Sequence, residues 1–192
     1  MLATMMTLPL SVEQGAAVLR EGGVVAYPTE AVWGLGCDPF DRAAVERVLA
    51  IKQRPAAKGL ILLAASYAQL EPLLDTGQLP RERREAVLES WPGPHTWLMP
   101  CLPQMPEWLR GEHATLAVRV SAHPLAAALS AAFGGPIVST SANRAGAPPA
   151  HSRDALDPTL LQLLDGVLEG ECGSLQAPTP IRDAATGASV RA

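Results

Sequence analysis

Proline and glycine punctuate this chain densely, 18 and 16 of 192 residues, where about 12% of residues together is usual. They cut the apolar material into short runs. Val24–Tyr27 stops at Pro28, Leu60–Leu63 is continuously apolar, Trp91-Pro92-Gly93-Pro94 turns into Thr96–Met99, and Pro136–Ser141 follows Gly134-Gly135. Runs of that length read as strands. Leu116–Val120 alternates instead, with Leu116, Val118 and Val120 on one face and Ala117, Arg119 and Ser121 on the other.

Helical spacing fills the intervals. Ser11-Val12-Glu13-Gln14 has capping-box form and Gly22-Gly23 stops its helix. Asp41 caps a helix carrying Ala44, Val45, Val48 and Leu49, which Pro55 forces to end, so Lys52 and Arg54 are expected on its last turn. A second box, Ser66-Tyr67-Ala68-Gln69, opens a helix to Leu74, and Pro80–Trp91 reads as a charged helix solvated along Arg81, Arg83 and Arg84. Pro124 starts an alanine-rich helix ended by Gly134; 148–158 is irregular and Thr159–Leu164 helical. With no repeat or evident linker, the expectation is one α/β domain over residues 1–192 on a mixed sheet.

Fifteen Lys and Arg against 19 Asp and Glu leave a net charge of −4, which argues against holding nucleic acid by bulk charge but permits a local basic cleft. The only lysines, Lys52 and Lys58, flank Arg54 in one stretch. Cys37, Cys101 and Cys172 are odd in number, with no C-x-x-C pattern, and read as reduced, packed thiols. Met1–Pro9 lacks a basic signal-peptide region, and no apolar run approaches the ~20 residues of a membrane span. A soluble, cytoplasmic protein without membrane contact is expected.

Familiar catalytic motifs fail. There is no G-x-x-x-x-G-K-[ST], G-x-S-x-G or H-E-x-x-H, and Gly34-Leu35-Gly36-Cys37-Asp38-Pro39 has Pro where a dinucleotide fingerprint needs its third glycine. His95, His113, His123 and His151 lack ligand spacing and read as surface or structural groups, so no protein-held metal is expected. Lys52, Arg54 and Lys58 either converge on a polyphosphate or complement a helix dipole. Ser139, Ser141 and Asn143 share one side of an extended segment, either facing a ligand or satisfying a turn. Arg119, on an otherwise apolar strand, needs an anionic partner from protein or ligand. Trp33, Trp91, Trp97 and Trp108 read as core, with adenine stacking the alternative.

Tyr27-Pro28-Thr29-Glu30-Ala31-Val32-Trp33-Gly34-Leu35-Gly36, Lys52-x-Arg54-Pro55 with Lys58-Gly59-Leu60, Trp91-Pro92-Gly93-Pro94, Leu116-Ala117-Val118-Arg119 and Ser139-Thr140-Ser141-Ala142-Asn143 together resemble, in order, the YrdC/TsaC family. The likeness covers Val12 to Arg191 and is similar to the family's short bacterial form. It implies a twisted α/β sheet with surrounding helices and a concave cleft. It also implies synthesis of threonylcarbamoyl-AMP and pyrophosphate from L-threonine, bicarbonate and ATP, with Mg2+ on the triphosphate, and partner proteins that use the adenylate to modify tRNA. The same resemblance makes Lys52 and Arg54 the catalytic residues, places Lys58 with them at the triphosphate, Ser139, Ser141 and Asn143 at nucleotide phosphate or sugar, and Arg119 at a phosphate or carboxylate. Thr29 is assigned to threonine, and Thr179 to a late segment that closes over the site. Ala31, Leu63 and His95 depart from common family residues.

The alternative is a protein that binds tRNA or double-stranded RNA, as in ribosome assembly, without synthase activity. A carbamoyl-transfer domain of the kind used in hydrogenase maturation is a further rival.

Overall fold

The computed structural model describes residues 9–191. Ten strands form one mixed sheet: β1 (Pro9–Leu10), β2 (Val25–Pro28), β3 (Trp33–Gly36), β4 (Ile61–Ala64), β5 (Thr96–Pro100), β6 (Thr115–Val120), β7 (Ile137–Ser141), β8 (Gly166–Leu168), β9 (Ile181–Asp183) and β10 (Ser189–Arg191). Their order is β1-β8-β2-β3-β7-β4-β6-β5-β9-β10. Parallel pairs join β1, β8 and β2, antiparallel pairs join β2, β3, β7 and β4, and from β4 to β10 parallel pairs (β4 with β6, β5 with β9) alternate with antiparallel ones (β5 with β6, β9 with β10).

The helices are α1 (Val12–Arg20), α2 (Arg42–Lys52), α3 (Tyr67–Leu70), α4 (Arg81–Glu89), α5 (Glu107–Arg110), α6 (Pro124–Phe133) and α7 (Pro158–Leu161). The first capping box forms as expected, Ser11 accepting from the Gln14 amide and Gln14 from the Ser11 amide. The second does not. Ser66 makes no side-chain cap; the Gln69 carboxamide oxygen instead accepts from the Ala65 amide at 2.8 Å and the Ser130 hydroxyl at 2.9 Å. That helix stops at Leu70, and a 3-10 turn containing Pro72 follows.

Helix α2 also ends differently from the expectation. Gln53 adopts a left-handed conformation (φ 52°) and closes the helix at Lys52, before Pro55 is reached. Arg54 therefore lies beyond the helix. Arg83 is not solvated either: its Nε donates to Ala184 O at 3.0 Å and its guanidinium stacks over Trp97. Asp157 caps α7, so the helix starts at Pro158 and ends at Leu161 rather than running from Thr159 to Leu164.

Cross-strand register sorts the residues onto two faces. Gly34 lies opposite Ser141, Ser139 opposite Ile61, Ile61 opposite Ala117, and Ala117 opposite Leu98. Partners and every second residue share a face, so Tyr27, Leu63, Thr115, Arg119 and Ile137 belong there too. The other face carries Leu35, Leu62, Val118 and Val138, buried against α2, α4 and α5 in the larger core. On the first face, α1 and α6 cover only one end, packing Leu19, Ala126 and Leu129 on Val25, Tyr27, Leu63 and Ile137. The rest stays open as a concavity.

Two loops frame that opening. Residues 54–60 are tied to the α5–β6 connection by bonds from Leu60 N to Leu109 O and Glu112 N to Ala57 O. Gly111 (φ 64°) sits so close that a Cβ there would fall 2.2 Å from Ala57 O. From β8 to β9 the chain passes seven places along the strand order, roughly 34 Å at about 4.8 Å per strand. The dozen or so residues available span that only when nearly extended, so 169–180 runs as a strap over the open face. Gly111→Ala combines a positive φ with this clash and is expected to destabilise the fold by more than about 1 kcal/mol; urea unfolding measures it.

Candidate active site

The open part of the sheet face bounds a cavity of about 480 Å³, a size that suits a small-molecule ligand. Its floor is Gly34, Ile61, Leu98, Ala117 and Ser139, and its walls come from the two loops and the strap. Eight residues expected at a ligand site line it: Thr29, Arg54, Lys58, Arg119, Ser139, Ser141, Asn143 and Thr179. Lys52 does not.

Arg54, Lys58, Arg110 and Arg119 line the cavity without any Asp or Glu. In a chain of net charge −4, this concentrates positive potential at one place. Arg54 Nη2 donates to Gly59 O at 3.2 Å, which fixes it within its own loop. Arg110 donates from Nε to Met105 O at 3.3 Å and from Nη1 to His113 O at 2.9 Å. Arg110 and His113 were not singled out as ligand groups by the sequence pattern. The basic helix end before Gly111 is the signal for Arg110; none marked His113.

Lys52 joins the two motifs. Its side chain is buried, and Nζ donates to Ser141 O, to Asn143 O at 2.8 Å and to Asn143 Oδ1 at 3.3 Å. Its carbonyl accepts from Ala145 N at 2.9 Å. The ammonium thus grips the 141–145 turn from behind, where an open phosphate ligand was expected. Burial first, and the neighbouring Arg54 charge second, pull its pKa down to about 8.

Arg119 finds its anion inside the protein. Its Nη1 lies 3.3 Å from Glu30 Oε2, both side chains buried, and it reaches Thr179 Oγ1 at 3.5 Å and Ser139 Oγ at 3.4 Å. Glu30 Oε1 accepts from Ser121 Oγ at 2.7 Å and Ala122 N at 3.1 Å. Burial alone would raise the Glu30 pKa; the Arg119 charge and these bonds outweigh it and hold the carboxyl below its ordinary value. Glu30 was legible only as part of a polar loop. Thr29 Oγ1 donates to Val32 O at 2.7 Å, pinning the turn between β2 and β3.

Trp33 and Trp97 are buried, Trp91 and Trp108 pack against the larger core, and no tryptophan lines the cavity. His123 caps α6 through Nδ1 and meets Glu171 O through Nε2 at 3.0 Å. His95 is half-buried rather than on the surface. All three cysteines are free thiols. Among the described residues, no three His, Cys, Asp or Glu side chains form a group that could hold a metal ion, and no helix is long and apolar enough to cross a membrane.

Comparison with known proteins gives consistent relatives. The Sua5/YciO/YrdC family model, described as Telomere recombination, matches residues 17–191. A protein of Stenotrophomonas maltophilia named threonylcarbamoyl-AMP synthase is 59% identical over 95% of this chain and 98% of its own. The structure of P. abyssi Sua5 complexed with L-threonine superposes at TM-score 0.82 and 33% identity, over 90% of this chain and 50% of that one; this chain spans half of that protein's length. E. coli YciO superposes at TM-score 0.78 and 26% identity, over 94% of this chain and 90% of its own.

With two lysines in the chain, the Lys52 environment is directly observable. Lysine-selective NMR should show one Nζ or Cε resonance titrating near 8 and absent in Lys52→Met; a Lys52 midpoint above about 10 would contradict the burial argument. An ordinary lysine titrates near 10.5, so between about pH 8 and 10.5 the unfolded chain holds more protons, and this group adds stability as pH rises through that window.

Proposed function

This chain belongs to the Sua5/YciO/YrdC family, and from that premise we propose that it is a threonylcarbamoyl-AMP synthase, joining L-threonine, bicarbonate and ATP into threonylcarbamoyl-adenylate and pyrophosphate. The observation that carries the reading is the cavity itself: four basic side chains and no acidic one among the described residues over an open sheet face, in a chain that covers 98% and 100% of two relatives of that name.

The chemistry asks little of a protein nucleophile. Threonine's neutral amine and bicarbonate give a carbamate and water. A carbamate oxygen then attacks the α-phosphorus, the bond to the β-phosphate oxygen breaks, and pyrophosphate leaves. Two anions must be brought together in line, so positioning and charge compensation are the protein's contributions. Arg54 and Lys58 are assigned to the triphosphate, which brings Mg2+ with it as part of the substrate. Arg110, missed in the sequence, joins them on the same wall. Ser139, Ser141 and Asn143 are assigned to nucleotide oxygens, with Lys52 acting on them through the turn it grips. Arg119 and Thr179 take a carboxylate or phosphate oxygen, and Thr29 shapes the threonine end. With no Phe, Tyr or Trp in the lining, adenine rests on aliphatic groups such as Ile61 and Leu98.

The product is a mixed anhydride that water destroys, so it suits immediate use by cytoplasmic partner proteins that modify tRNA. An RNA-binding protein without synthase activity is the competing outcome of the test below.

Purified protein should release pyrophosphate from ATP only when L-threonine and bicarbonate are both present. Turnover indifferent to threonine would sink the synthase reading, and RNA binding would then be the function to measure. Arg54→Ala should lower kcat/KM about tenfold or more, the loss of one charge-assisted contact, with an unchanged circular dichroism spectrum; wild-type activity in that variant would remove the assignment.

A further inference from the structure

Among the described residues, seven of the ten buried polar or charged ones, Glu30, Arg119, Ser121, Ser139 and Thr179 among them, gather beside the cavity floor. Within that group only Glu30 and Arg119 carry charge, and their contact is unusual. Glu30 Oε1 is fully occupied by Ser121 Oγ and Ala122 N, groups on the chain just past Arg119. Oε2 accepts no hydrogen bond, although it faces Arg119 Nη1 at 3.3 Å. The guanidinium's two hydroxyl contacts are long, 3.4 and 3.5 Å, and its Nε has no partner.

This is an arginine aimed by charge but not consumed by it. A bidentate carboxylate would saturate the fork; here the carboxylate is locked in place by other donors and holds the guanidinium electrostatically. The Glu30 backbone adds a second function. Thr29 O accepts from Gly173 N at 2.9 Å and Glu30 O from Leu175 N at 3.2 Å, and a Cβ on Gly173 would fall 2.6 Å from Glu30 O. The strap that carries Thr179, the other contact of Arg119, therefore hangs on the same dipeptide.

We propose that Glu30 is a positioning residue of this site: its anchored carboxylate sets the direction in which Arg119 offers its free donors to a substrate anion, and its backbone seats the strap whose Thr179 completes that setting. The proposal rests on the synthase reading. In Glu30→Gln the amide oxygen keeps the Ser121 and Ala122 bonds, while an NH2 group turned toward the guanidinium misaims it. Removing a negative charge beside the cavity also raises the local positive potential.

The expected signature is a split. Glu30→Gln should lower kcat at least tenfold while the KM for ATP stays level or falls. In an Arg119→Ala background the same substitution should change kcat by less than about twofold, because a residue acting through Arg119 has nothing left to act through. Equal losses in both backgrounds, or raised KM values with kcat intact, would overturn the proposal. If Glu30→Gln does not fold, Ser121→Ala tests the anchor alone: a smaller kcat loss at unchanged KM supports the proposal and an unchanged kcat rejects it. Wild-type protein silent in pyrophosphate release would reject the synthase reading instead. The cycle is then scored by calorimetry with ATP, where Glu30→Gln should change affinity by a different factor in wild type and in Arg119→Ala; an equal effect in both backgrounds overturns the Glu30 proposal by itself.

Discussion

Strand register is the constraint on which the rest depends. Pairing Ser139 with Ile61, and Ile61 with Ala117, places the cavity floor in one row across the sheet and Leu62, Val118 and Val138 on its back. A slip of one residue in β6 would turn Arg119 into the larger core and Val118 into the cavity. The two faces then receive unequal cover. α2, α4 and α5 close the back, whereas α1 and α6 reach only part of the front. The cleft is thus the area of sheet that no helix covers, and its floor is as rigid as the sheet.

The charges around it follow a second logic. On the outer surface arginines pair with acids: Arg42 with Glu46, Arg47 with Asp165, Arg81 with Glu85. Beside the cavity, carbonyl oxygens accept from Lys52, Arg54 and Arg110, and Arg110 also lies 3.4 Å from the exposed Glu107 carboxylate. A carbonyl orients a cation without cancelling its charge, so the wall keeps its potential for an incoming anion. Arg119 instead faces a buried carboxylate, Glu30, whose Oε1 is spent on Ser121 and Ala122 while Oε2 lies 3.3 Å from Nη1.

The same distinction explains which residues could be read in advance. Arg119 stood out because a cation on an otherwise apolar alternating strand demands an anion, but the anion came from Glu30, 89 positions earlier in the chain, across a contact that no local spacing records. Lys52 and the Ser141–Asn143 turn were visible as separate signals; that one holds the other depends on the turn after β7 meeting the C-terminal end of α2, where Ala145 N bonds to Lys52 O. The Ser66 box failed for a related reason. Gln69 had a tertiary partner in Ser130, and Pro72 left too little helix to favour the local bond.

By itself, the sequence determined the alternation of β6, the capping box of α1 and the bounds of α6, the core placement of the tryptophans, and the presence of a small cationic and hydroxyl set in a family of known fold. These are local properties, set by side-chain periodicity, backbone chemistry and residue type. Tertiary structure decided which cations face the cavity, what each one touches, and where the strap crosses. Those depend on long-range packing and on competition among hydrogen-bond partners, and burial made the difference: once Lys52 was taken out of water, its ammonium had to be satisfied by the nearest oxygens, which belonged to the turn it was expected to work beside.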